Sequence, residues 1–140
     1  MSNKTMVWRL VGQVFVTVHS EKSPDDDEWD LYFQYATKNL PPKCRRMLVI
    51  SKGGGPNAKQ RKIVNEAYGK DFKMTVAVVN DSTMVRGIVT ALGWFNSLIK
   101  PFPNTDAGIN DALKYLKVEG AEAAQVVAEV RKIKLELGIK

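Results

Sequence analysis

The chain reads as an α/β protein. It predicts a mixed, mainly parallel sheet opened by a β-hairpin, with helices packed on the sheet and an extra C-terminal helix. Three observations predict this class. The first strand-like segment alternates and is broken by a Gly-X pair, Gly12-Gln13. Two short apolar runs, Arg46–Ser51 and Met74–Val79, lack that alternation, as strands buried on both faces do. The segments between and after them space apolar residues at three and four, the rhythm of a helix face. Strands alternating with helices imply parallel pairing through right-handed crossovers.

The elements follow in order. Trp8, Leu10, Val14, Val16 and Val18 share one parity, and Phe15, Thr17 and His19 the other. Strands are expected at about 6–11 and 14–19, with the first-named set on one face. Ser23-Pro-Asp-Asp-Asp27 breaks the pattern and places negative charge where a helix dipole favours it. Trp29, Tyr32, Phe33 and Ala36 then form an apolar helix face. Leu31 and Tyr35 lie off that face, which predicts a helix buried on two sides. Pro41-Pro42 ends it.

After the strand Arg46–Ser51, Lys52-Gly-Gly-Gly-Pro56 is a loop. Asn57 with Gln60 three residues on has the form of a capping box for a second helix. The strand Met74–Val79 leads to Asn80-Asp81-Ser82, a cap for a third helix with Val85, Ile88, Val89 and Leu92 on one face. Ile99–Phe102 suits a short edge strand, where Pro101 is tolerated. Asn104-Thr105 caps a helix carrying Ile109, Ala112, Leu113 and Leu116. The last helix runs from about 121 to 137. Its Val126, Val130, Ile133 and Leu137 form a seam, either against its own sheet or against a second copy in a homodimer.

With 140 residues, 44% of them hydrophobic, one domain accounts for the whole chain, 1–140. Its core is expected at about 6–118, with 119–140 added as the extra helix. A single cysteine, Cys44, closes no internal disulfide, and a single histidine, His19, leaves no His/Cys zinc set. No stretch approaches the ~20 apolar residues of a transmembrane helix, and the N-terminus has no signal-like apolar run. These points predict a reduced, cytoplasmic protein without a cofactor. The net charge of +6 is localised: residues 43–73 hold 9 basic and 2 acidic side chains, and the flanking segments nearly cancel.

The element order resembles the STAS domain superfamily of anti-sigma-factor antagonists, closest to its SpoIIAA-like, STAS/CRAL-TRIO-related branch. The matching pieces are the hairpin Trp8–Val18, the strand Met47–Ser51, the strand Val76–Val79 with its Asn80-Asp81-Ser82 turn, and the tail Pro101-Phe102-Pro103 followed by Asp111–Leu116. The resemblance covers roughly 6–118. It implies a STAS-like fold and a bacterial regulatory module that binds a protein partner without catalysis. Phosphorylation-switched members open the helix after the third strand with a serine. Here that helix opens with Asn57, and Ser51 is the nearest hydroxyl.

The candidate partner or anion surface comprises Ser51, Lys52, Gly53, Gly54, Gly55, Asn57 and Lys59, with Ser82 and Thr83 on the neighbouring turn. A strand, a Gly-rich turn and a helix N-terminus can hold a phosphate-bearing ligand, although neither the Walker pattern nor Gly-x-Gly-x-x-Gly is present. Apart from Tyr68 and Phe72 no aromatic interleaves with the basic segment, which argues against nucleic acid and for a solvated helix face, with docking of an acidic protein partner as a further reading. Trp94, Phe95 and Phe102 are expected either to pack the core or to line a pocket for a small apolar ligand, the alternative carrier or sensor reading. The acidic run Asp25–Glu28 lacks calcium-loop spacing, and nothing in the sequence brings Cys44 and His19 together as a catalytic pair.

Overall fold

A computed structural model of the chain describes residues 4–41, 44–68, 74–81 and 99–139. The strands are β1 (Met6–Val11), β2 (Val14–His19), β3 (Arg46–Ser51), β4 (Thr75–Asn80) and β5 (Ile99–Pro103). The helices are α1 (Asp26–Gln34), extended by a π-helical turn (Tyr35–Asn39), α2 (Ala58–Tyr68), α3 (Asp106–Tyr115) and α4 (Gly120–Leu137). The strands form one five-stranded sheet in the order β1-β2-β3-β4-β5. Only β1 and β2 pair antiparallel. The α/β class, the opening hairpin and the C-terminal helix are therefore as expected. The third expected helix, with Val85, Ile88, Val89 and Leu92, lies outside the described residues.

Sequential strand order has a geometric consequence. Right-handed crossovers between neighbours that never reverse put their helices on one face of the sheet. There α1 covers Met6, Phe15, Met47 and Val76 with Trp29 and Tyr32. The other face (Val14, Val16, Val18, Leu48, Ile50, Ala77 and Val79) is closed by α3 and α4. Both faces of the middle strands are thus covered, and every residue of β2 is buried.

The hairpin corrects the expected faces of β1. Its register pairs Val11 with Val14, Leu10 with Phe15 and Trp8 with Thr17. Opposed residues share a face, so a two-residue turn inverts parity across it. Trp8 and Leu10 accordingly pack with Phe15 under α1, and Val7 joins Val14, Val16 and Val18 on the other side. Gly12, at φ 59°, opens the turn with the left-handed backbone that its first position requires.

Helix α1 is capped by Asp25, whose carboxylate accepts the Glu28 N–H at 2.7 Å. Leu31 is 62% exposed, so the helix is not buried on that side. Tyr35 does turn inward, with its ring 5.7 Å from that of Phe15. The capping box of α2 is reciprocal: Gln60 N–H donates to Asn57 Oδ1 at 2.8 Å, and Asn57 N–H to Gln60 Oε1 at 3.0 Å. Gln60 is also fully buried, and its Nε2 donates to Pro24 O and Asp26 Oδ1, both at 3.2 Å. One side chain therefore ties two helix starts together. Gln60→Ala is expected to lower stability by about 1–3 kcal/mol, the cost of a lost cap plus stranded buried partners. Urea unfolding measures it, and a loss under about 0.5 kcal/mol would contradict that role.

The seam of α4 lies against its own sheet, with Val126, Val130 and Ile133 buried there. Arg9 on β1 holds Glu129 at 2.8 Å and Glu136 at 2.6 Å, and Arg46 on β3 holds both carboxylate oxygens of Glu122 at 3.0 Å. The apolar stripe offered as a dimer seam is therefore occupied within one chain.

Candidate functional site

The loops that can carry function gather at the carboxyl ends of the parallel strands, where open α/β sheets place their ligand surfaces. His19, Ser51 and Asn80 end β2, β3 and β4 in register, His19 beside Ser51 and Ser51 beside Asn80. All three are buried. They lie on the face that α1 covers, in line with Phe15, Met47 and Val76.

Ser51 organises the Gly-rich loop. Its hydroxyl donates to Gly54 O and accepts the Gly53 N–H at 3.0 Å. Lys52 N–H donates to His19 O at 3.1 Å, and Gly54 N–H to Ser20 O at 2.8 Å. The amides of Lys52, Gly53 and Gly54 thus point at protein oxygens rather than outward as an anion cradle requires. Gly54 sits where a Cβ would overlap the Ser20 and Lys22 carbonyl oxygens, so this position admits only glycine. Asn57 and Lys59 continue the surface at the start of α2, both exposed, and Lys59 reaches Asp26 at 3.3 Å.

Lys52 extends across the ends of the strands to Asp81 Oδ2 at 3.3 Å, and Asn104 Nδ2 reaches the same oxygen at 3.4 Å. Lys134 of α4 lies close by. Burial, and then repulsion from Lys52, hold its ammonium below the usual lysine range, against the pull of Asp81 and Asp106. The carboxyl ends of the strands therefore present mixed charge, Lys52 and Lys134 beside Asp81 and Asp106.

The structure brings together Ser51, Lys52, Gly53, Gly54, Gly55, Asn57 and Lys59. Ser82, Thr83, Trp94 and Phe95 lie outside the described residues. Phe102 is on the opposite face of the sheet from α1, half-buried and packed against the core there, with its ring 5.7 Å from that of Tyr115 on α3. Cys44 precedes β3 at the amino edge of the sheet, whereas His19 ends β2 at the carboxyl edge. A strand length separates them. Cys44 Sγ donates to Gln13 O at 3.5 Å, and burial pushes its thiol pKa up. The acidic run has structural partners: Asp25 caps α1, Asp26 accepts Gln60, and the Glu28 carboxylate holds Thr5. Among the described residues no group of three or more His, Cys, Asp or Glu side chains is placed to hold a metal ion.

Sequence reasoning missed two features here. The tether from Gln60 to Pro24 and Asp26 was signalled only in part, by the capping box. The ladder of α2 residues exposed beside the loop carried a signal that went unread: Lys59, Lys62, Ile63 and Glu66 recur at helical spacing and share one exposed face. Among the described residues no helix is long and apolar enough to cross a membrane. Comparison with protein-family models, with curated proteins and with solved structures finds no match.

Proposed function

We propose that the chain is a non-enzymatic, cytoplasmic regulatory module that docks an acidic protein partner, in the manner of the STAS-like domains whose element order it resembles. The docking surface is the loop Lys52–Asn57, the exposed face of α2 and the turn that begins at Asn80. One observation carries this reading. Ile63, a large apolar side chain, is 38% exposed on α2, next to Lys62 and one turn on from Lys59, both exposed. An apolar anchor with a charged rim is the composition of a protein interface, and the localised positive charge would steer an acidic partner toward it. The loop beside it is pinned by Ser51, so the surface is preorganised and little ordering cost opposes binding.

A charge-and-anchor variant tests this reading. The protein and its Lys59→Glu/Lys62→Glu/Ile63→Ser variant, matched in melting temperature, are immobilised and exposed to the same cell extract. The expected result is a stoichiometric acidic partner retained by the first and reduced at least about tenfold on the second, with retention falling as salt rises. Equal recovery on both would overturn the assignment of this face. A native mass spectrum with a small non-covalent ligand and no enriched protein would favour the carrier reading instead.

A further inference from the structure

The two edges of the sheet differ. β5 carries Pro101 and Pro103, which cannot donate to an added strand. β1 has no proline and runs six residues in unbroken register with β2. Ser20 N–H donates to Thr5 O at 2.8 Å, which places the odd-numbered residues of β1 in the hydrogen-bonded pairs. The even-numbered residues therefore direct their N–H and C=O groups away from the sheet. At one end the Glu28 carboxylate covers this row, accepting Met6 N–H at 3.4 Å as well as the N–H of the preceding Thr5 at 2.8 Å. Trp8 and Leu10 have no such cover among the described residues.

A groove of about 670 Å3 lies beside this edge, between β1 and the start of α1. Met6, Trp8 and the exposed Leu31 supply its apolar wall, and Asp25, Asp27 and Glu28 its rim. Lys4 and Arg9 also reach it, but Glu129 and Glu136 hold the Arg9 guanidinium against α4. Residues 21–30 contain six acidic side chains and one lysine, in a chain whose net charge is +6. With Arg9 paired to α4, the groove's own lining sets Asp25, Asp27 and Glu28 against Lys4, the opposite sign to the molecule.

We propose that the β1 edge binds an extended, lysine- or arginine-bearing segment of a partner protein by β-strand addition. Trp8 and Leu10 supply the main-chain hydrogen bonds. A side chain opposite Trp8 shares its face and meets Leu31, and basic side chains meet the Asp27 rim. This site is separate from the α2 surface and stands or falls independently of it.

Amide hydrogen exchange with a short synthetic peptide alternating lysine and valine tests the site. The amides of Trp8 and Leu10 are expected to exchange at least about tenfold more slowly with this peptide, and not with its aspartate-for-lysine counterpart. Leu10→Pro removes an outward donor without touching the β1–β2 ladder and should abolish the protection at Trp8. Asp27→Lys, an exposed change that keeps the fold, should weaken the lysine peptide about three- to tenfold. Unchanged exchange, or equal protection by both peptides, would overturn the proposal. So would protection of Trp8 and Leu10 that appears without peptide and grows with protein concentration, because the edge would then pair with a second copy.

Discussion

Phe15→Ala is expected to lower unfolding stability by about 3–5 kcal/mol, the range for emptying a fully buried aromatic site. Phe15 is 0% exposed, stacked on Tyr32 at 5.7 Å and beside Tyr35 at the same distance. It joins β2 to both α1 and the π-helical turn, so its removal leaves a cavity lined from three sides. A stability of ~5–15 kcal/mol is ordinary for a domain, so this one change approaches the whole margin. Urea titration should show a lower midpoint with an unchanged slope. A loss of less than about 1 kcal/mol would mean that α1 does not close over β2 as described.

Acidification is expected to destabilise the protein through His19 before most carboxylates titrate. The imidazole is buried, its Nδ1 has no hydrogen-bond partner among the described residues, and desolvation lowers its pKa from 6.5 to about 4. Between those two values the unfolded chain binds a proton that the native state refuses. Stability therefore rises with pH across this window. The contribution is complete above pH 6.5 and is lost progressively as the pH falls to about 4. The total is about 3 kcal/mol. His19 is the only histidine, so His19→Gln should flatten the profile in that window. Parallel profiles for the two proteins would show that the ring is solvated in the native state.

The candidate site was legible in proportion to how local its signals are. Asn57 and Gln60 announce their reciprocal cap three residues apart, and the structure forms it. The Gly-rich turn after an apolar run placed Ser51 to Asn57 together. Its purpose was not legible, because nothing in Ser51-Lys-Gly-Gly-Gly reveals that its amides face His19 O and Ser20 O. Those acceptors come from the end of β2, some thirty residues away in the chain. The exposure of Ile63 was equally hidden: a helix pattern shows which residues share a face but not which face meets the core.

By itself the sequence determined the α/β class, the order of the described elements, the hairpin and the caps at Asn57 and Thr105, because period, turn chemistry and capping act over a few residues. The tertiary structure alone decided the rest. Hairpin register put Trp8 and Leu10 with Phe15, since a turn of two residues inverts parity. Docking chose between two partners for the seam of α4 and set Val126, Val130 and Ile133 on their own sheet, with Arg9 and Arg46 fixing the glutamates above it. Strand order placed β1 at an edge of the sheet with no strand beyond it among the described residues, and α1 on one face. Each of these is a pairing between distant segments. Such choices rest on which surfaces find one another in three dimensions, and no local pattern encodes that.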